Sequence, residues 1–125
     1  MNAQQLHDLV ERIEIAEWPD ADLAAEVLES IKSALSGESG SLTLEPALLE
    51  STDAALHLVS LKVPNWSIML QGYAHEPDSG WTCTLREGTV RDDDELIGIG
   101  KGPTLPLALL AALLRILVIR ARGYW

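Results

Sequence analysis

The chain has 125 residues, of which 47% are hydrophobic and 22% are charged, and its formal net charge is −10. This length predicts one domain, and the hydrophobic fraction excludes a wholly disordered chain. The acidic balance opposes direct binding of nucleic acid, whose affinity comes largely from Lys and Arg on phosphates, and it favours partners with basic surfaces.

The charge is distributed unevenly along the chain. Residues 1–53 contain twelve acidic and two basic residues, residues 54–100 contain seven and three, and residues 101–125 contain four basic residues and no acid. The acidic front and the basic tail are therefore predicted to attract one another, either within one chain or between copies.

The first two predicted elements are amphipathic helices over residues 3–17 and 21–36, in which apolar residues recur at helical spacing. Pro19 separates them, and Asp20 is placed to cap the second. Acidic residues occupy the outer faces, so this part is predicted to form an acidic helical hairpin over residues 1–36.

A flexible Ser- and Gly-rich stretch follows, and residues 37–50 are interpreted as a linker. Ser51, Thr52 and Asp53 are typical of a helix start, which predicts a third helix over residues 54–61.

Alternating apolar and polar residues predict two strands, over residues 66–74 and 81–86, with a turn at 76–80 between them. Trp66 and Trp81 begin these alternations and are predicted to lie under the last helix, with an exposed aromatic pair as the alternative. A third strand, over residues 96–100, is weakened by two glycines.

The last predicted element is a helix from Pro103 to Arg122. Leu105 to Leu114 contains no polar side chain, Thr104 can cap the start, and Pro106 suits a first turn. A helix that is apolar nearly all round must be covered nearly all round, so the other elements are predicted to wrap it.

The order of elements predicts an α+β fold. Residues 51–125 are predicted to form a three-stranded antiparallel meander with helices packed on it, in one folded unit with the hairpin. The hairpin either covers the other face of the sheet, giving an α-β-α sandwich, or packs around the last helix.

Three segments resemble the phage ABA sandwich domain proteins, which are small proteins encoded in bacteriophages and prophages. These segments are STDAALHLV at 51–59, PNW at 64–66 and PTLPLALLAALLR at 103–115, and residues 13–27 are similar to the usual lead-in. Asn65 stands where glycine is usual in that family. The resemblance implies an α-β-α sandwich of phage or prophage origin with no enzyme activity, so it transfers no functional residue.

The location is predicted to be the cytoplasm of a bacterial host cell. Cys83 is the only cysteine, which excludes an internal disulfide and favours a reducing compartment. The N-terminal stretch lacks the features of a signal peptide. The apolar run ends at Arg115 after ten residues, whereas a membrane span needs about 20, so we expect no membrane partner.

Gly98 to Gly102, with Lys101 among the glycines, is the most tempting candidate for a ligand site. A glycine-rich connection before a helix can bind phosphate, but neither the P-loop nor the Rossmann spacing is met. A tight turn that needs glycine backbone freedom is the favoured interpretation, and anion binding is left open.

The other candidates for chemistry are weaker. The acidic run at 92–95 lacks EF-hand spacing, His7, His57 and His75 lie far apart, and Cys83 alternates into the core. Ser39 lacks the last glycine of a nucleophile elbow, and paired carboxylates on the first helix are expected to be solvated. We therefore predict a non-enzymatic protein without catalytic, cofactor-binding or metal residues. The terminal Trp125 is predicted to dock either on its own chain or on a partner.

The sequence predicts that the protein binds another macromolecule with a basic surface, in the sharpest version inhibiting a host defence complex by occupying its basic groove. The alternative is a phage accessory or structural protein that binds virion proteins or itself, as in a homodimer. The predicted contact residues are acidic: Asp8, Glu11, Glu14, Asp22, Glu26, Glu29, Asp92, Asp93, Asp94 and Glu95.

Overall fold

The computed structural model of the chain describes residues 3–15, 21–35, 50–72, 80–87 and 97–121. The elements in these ranges follow the predicted order. They are α1 (Ala3–Ile15), α2 (Ala21–Leu35), α3 (Thr52–Lys62), β1 (Ser67–Gly72), β2 (Trp81–Arg86), β3 (Ile97–Gly102) and α4 (Leu105–Ala121).

The strands form one antiparallel sheet in the order β1-β2-β3, which confirms the α+β class and the three-stranded meander. Leu70 pairs with Cys83, and Cys83 pairs with Gly100, so these residues share one face. The alternation predicted for β2 is confirmed, because Cys83 and Leu85 are buried on this face, and the alternation predicted for β1 is confirmed, because Ile68 and Leu70 pair with them.

Helix α4 is the centre of the core, as its composition predicted. Leu107 to Leu114 is buried without a break, and α4 contacts β3, β2, α1 and α3. Thr104 caps the helix, since its Oγ1 accepts a hydrogen bond of 3.4 Å from the amide of Leu107. Residues 107–114 have no polar side that could face water, so the helix is buried on every side in this part.

The glycines of β3 correct the prediction of a turn at this position. The strand extends to Gly102, so Gly98, Gly100 and Gly102 lie within an extended strand and face α4. A Cβ atom on Gly100 would lie 2.1 Å from the amide nitrogen of Ala112. The glycines are needed because the α4 backbone lies directly on the strand, where no side chain fits.

Two of the other helices pack directly on α4, and α2 packs on α1. α1 contacts both α4 and β3, α2 contacts α1, and α3 contacts α4. The Ser51 hydroxyl caps α3 by accepting a hydrogen bond of 3.1 Å from the amide of Ala54. Of the two placements left open for the hairpin, α1 therefore takes the one around α4.

The opposite face of the sheet carries the other side chains of the alternation. We call it the open sheet face; its members are Ser67, Met69, Gln71, Thr82, Thr84, Arg86, Ile97, Ile99 and Lys101. Met69 is 63% exposed and Ile99 is 49% exposed. The described helices therefore form a layer on the α4 side of the sheet and leave this face accessible.

The buried residues of the described helices and strands form one continuous hydrophobic cluster. Trp66 and Trp81 are half-buried and pack against it. Asn65 has a φ of 68°, a left-handed conformation that asparagine and glycine tolerate best. No helix in the described part of the chain is long and apolar enough to cross a lipid bilayer.

Several predictions lie outside the described residues. They concern the cap at Asp20, the linker up to residue 49, the turn at 76–79, the acidic run at 92–95 and the terminal Trp125.

Candidate functional site

The outer side of α1 carries a stripe of exposed residues at helical spacing, which we call the α1 stripe: Gln4, Asp8, Glu11 and Ile15. The Gln4 side-chain amide donates a hydrogen bond of 2.9 Å to Asp8, and His7 lies 3.0 Å from the carboxylate of Glu11. Ile15 ends the stripe and is 81% exposed. The stripe therefore combines two carboxylates with one accessible apolar side chain.

The outer side of α2 carries a second stripe of acidic residues. Asp22, Glu26 and Glu29 are exposed and follow one another by four and then three residues, so they share one helix face. Glu26 forms an ion pair with Arg12 of α1, which joins the two helices at their surface. We call Asp8, Glu11, Asp22, Glu26 and Glu29 together the acidic hairpin face.

Glu14 corrects the prediction of an exposed carboxylate. Its side chain is only 20% exposed, and its Oε1 lies 2.5 Å from Nη2 of Arg115 on α4. Its Oε2 accepts a hydrogen bond of 3.2 Å from the backbone amide of Lys101 in β3. Glu14 follows the buried Ile13, and this side of α1 turns towards α4. One ion pair between the acidic front and the basic tail thus forms within the chain.

Because Glu14 connects three elements, we expect Glu14→Gln to lower the free energy of unfolding by about 1–2 kcal/mol. The substitution removes the charge that Arg115 and the Lys101 amide bind, at a half-buried position. Urea unfolding followed by circular dichroism measures the effect. Glu29→Gln, at an exposed position of α2, is the matched control and should change stability by less than about 0.5 kcal/mol. Equal losses in the two variants would contradict the structural role of Glu14.

The backbone amide of Lys101 belongs to the glycine-rich stretch that suggested an anion site. In β3 this N–H is already directed at a carboxylate of the chain itself, Glu14. The glycines pair with β2 and face α4, so they do not form the turn in which successive N–H groups converge on a phosphate.

A second basic residue of α4 also has a structural contact. Nη1 of Arg120 donates a hydrogen bond of 3.4 Å to the carbonyl oxygen of Lys62, the last residue of α3. Burial lowers the pKa of Arg120, and the negative charge of Glu87 opposes that shift. Arg120 remains charged at neutral pH, because an arginine titrates far above it. Arg115 and Arg120 thus hold α1 and α3 against the central helix.

The described residues do not bring Cys83 together with His7 or His57. Cys83 is fully buried in β2, and burial raises the pKa of its thiol to about 12. His7 is beside Glu11 on the surface of α1, and His57 is exposed on α3. Within the described ranges, no group of three His, Cys, Asp or Glu residues is arranged to hold a metal ion.

The burial of Cys83 leads to a prediction about the reactivity of its thiol. We expect its thiol to resist a disulfide reagent at about pH 8 in the native protein, because burial keeps the thiol protonated and the thiolate is the reactive form. In urea the thiol is exposed, so we expect it to react rapidly. A thiol whose pKa is raised on folding favours the native state below its ordinary pKa of 9.0, and that contribution is lost as the pH rises towards about 12. Stability should therefore fall across this alkaline range. Fast labelling of the native protein would contradict the burial of Cys83.

The open sheet face is the surface that the sequence analysis missed. Its side chains form three cross-strand rows: Ser67, Arg86 and Ile97; Met69, Thr84 and Ile99; and Gln71, Thr82 and Lys101. The signal was present in the sequence, because Met69, Ile97 and Ile99 are the apolar residues that fall on the outward positions of the alternation.

Comparison with known proteins assigns the chain to no group: no family model, curated protein or solved structure matches it. The resemblance to phage ABA sandwich domain proteins therefore stays a prediction. The described residues form two candidate interaction surfaces, the acidic hairpin face and the open sheet face.

Proposed function

We propose that this protein is not an enzyme and acts by binding another protein through the acidic hairpin face. The observation that carries the proposal is the exposure of five carboxylates on the outer sides of α1 and α2. The basic residues of these two helices are Arg12 and Lys32, and Arg12 is already paired with Glu26. The surface is therefore strongly negative, and it suits a partner with a basic surface.

The attachment of the hairpin to the core supports this proposal. Leu9 and Ile13 of α1 are buried in the hydrophobic cluster, and the pair of Glu14 and Arg115 fixes α1 against α4. A helix held in this way presents its carboxylates in a fixed arrangement, which reduces the entropy that is lost on binding.

The resemblance to phage proteins motivates the sharper version. In it, the protein comes from a phage or prophage, and the acidic hairpin face occupies the basic nucleic-acid groove of a host defence complex and inhibits it. Long-range attraction would steer the two proteins together, and added salt would weaken that attraction.

The experiment is a pull-down from a bacterial lysate at two salt concentrations. At about 0.1 M salt the electrostatic screening length is about 10 Å, and at about 1 M it is about 3 Å. Two double variants each remove two charges. Asp22→Asn with Glu29→Gln changes the acidic hairpin face, and Glu50→Gln with Asp53→Asn changes exposed acids at the start of α3. We expect a partner that is captured at low salt, released at high salt and lost only with the first variant. Failure to recover a partner at low salt would count against the proposal.

One observation favours a second function, that of an accessory component which assembles with itself or with virion proteins. The open sheet face exposes Ile97 and Ile99 on β3 and Met69 on β1, and a protein that acts only through acidic helices does not need apolar side chains there. Light scattering that finds a monomer at every concentration would count against self-assembly.

A further inference from the structure

The open sheet face combines apolar side chains with cations. Met69 and Ile99 lie at the two ends of the central row with Thr84 between them, Ile97 lies next to Ile99 along β3, and Lys101 follows Ile99 on the same strand. The described residues of this face include no acid. In a chain with a net charge of −10, such a surface is complementary to the chain's own acidic helices.

The dimensions of this face match one short helix. Three strands at a spacing of about 4.8 Å and six residues at about 3.3 Å give a surface of roughly 14 by 20 Å. Helix α1 has 13 residues, and at about 1.5 Å per residue it is also about 20 Å long. One helix fits on this face when it is laid along the strands, and with its C-terminal residue on the central row it covers about half of the face.

We propose that the open sheet face binds the α1 stripe of a second copy of this chain. Ile15 is the most exposed large apolar side chain in the described residues, and it ends a stripe that also contains Asp8 and Glu11. An apolar side chain with carboxylates next to it along the helix is complementary to Ile99, which has Lys101 next to it along β3. The contact does not depend on the basic partner proposed above.

The spacings on the two surfaces agree. Ile15 and Glu11 are four residues apart on a helix, or about 6 Å, and Ile99 and Lys101 are two residues apart on a strand, or about 6.6 Å. When Ile15 lies on the row of Met69 and Ile99, Glu11 therefore reaches the row of Lys101.

The geometry of this contact determines the kind of assembly. The two surfaces are different parts of the molecule, so each copy has one of each free, and association forms a ring or an open chain rather than a two-fold dimer. The footprint is small compared with the roughly 800 Å² per partner of a standard stable interface, so the association should be weak and concentration-dependent.

Sedimentation and light scattering of the full chain at about 0.1 M and about 1 M salt test the contact. The face variant combines Gln71→Glu with Lys101→Glu, and the stripe variant combines Asp8→Lys with Glu11→Lys. We expect the wild-type protein to associate at low salt and dissociate at high salt, and each variant alone to remain monomeric. An equimolar mixture of the two variants should associate again, because each then finds an oppositely charged surface on the other.

Controls separate this contact from general charge effects and from unfolding. Glu50→Lys with Asp53→Lys changes the net charge as much as the stripe variant but lies on α3, so it should still associate. Ile15→Lys tests the same contact at a highly exposed position if the face variant fails to fold, as judged by circular dichroism, and it should remain monomeric.

Three results would overturn the proposal. One is a wild-type protein that stays monomeric at every concentration. Another is a mixture of the two charge variants that does not associate. The third is association that becomes stronger with salt, which would indicate that two open sheet faces stack on each other while Arg86 and Lys101 repel. The lysate pull-down remains a separate measurement, because the face variant leaves the acidic hairpin face unchanged.

Discussion

Gly100→Ala should lower the free energy of unfolding by about 3 kcal/mol, at the upper end of the usual cost of overfilling a core. The new Cβ atom would lie 2.1 Å from the amide nitrogen of Ala112 and 2.6 Å from the carbonyl carbon of Ala111. Both atoms belong to the backbone of α4, so no side-chain rotation can make room. The helix must move away from β3, and the buried leucines of α4 lose contacts as it moves.

Urea unfolding monitored by circular dichroism measures this loss. Ile99→Thr is the matched control, because it changes the neighbouring residue of the same strand but keeps a β-branched side chain on the accessible face. The control should change the free energy of unfolding by less than about 0.5 kcal/mol. A Gly100→Ala variant as stable as the wild-type protein would contradict the close packing of α4 on β3.

Leu109→Ala should lower the free energy of unfolding by about 2–5 kcal/mol, the range found when a large buried side chain is truncated. Leu109 is fully buried at the middle of α4 and belongs to the continuous cluster. Alanine is the better helix former, so the loss comes from the missing contacts and the cavity rather than from helix propensity. A domain of this size is stable by only about 5–15 kcal/mol, so the variant should unfold at a clearly lower urea concentration.

The control for this substitution is Leu117→Ala in the same helix. Leu117 is only half-buried against the cluster, so its truncation should cost less than half as much. Equal losses at the two positions would show that burial does not distinguish them, which would contradict the central position of this part of α4.

The order of the elements could be predicted from the sequence because it depends on local patterns. A run of Leu and Ala without a polar side chain must be covered, and Leu107 to Leu114 is covered. Ser51 and Thr104 are side chains that cap helices, and both accept a hydrogen bond from the first turn that follows. Alternation correctly assigned the two sides of β1 and β2.

The role of the β3 glycines could not be predicted in the same way. A glycine serves either where the backbone needs a left-handed conformation or where another backbone comes close, and the local sequence does not distinguish these uses. At Gly100 the reason is the backbone of α4, which only the packing of helix on sheet brings there.

The acidity of the hairpin was determined by the sequence, but the accessibility of each carboxylate was not. Helical spacing correctly placed Asp8, Glu11 and Glu26 on the outside. Glu14 lies at the edge of the buried side of α1, and its partner Arg115 is 101 residues away in the chain. Only the packing of α1 beside α4 brings the two charges together, and it gives Glu14 a structural contact.

The sequence by itself thus determined the elements, the central helix and the excess of negative charge, because each follows from residues that are neighbours along the chain. The tertiary structure decided which face of the sheet stays accessible and which charges face one another. Both features depend on contacts between segments that are distant in sequence. Because α1 packs beside α4 and β3, it leaves the other face of the sheet accessible and places Glu14 next to Arg115.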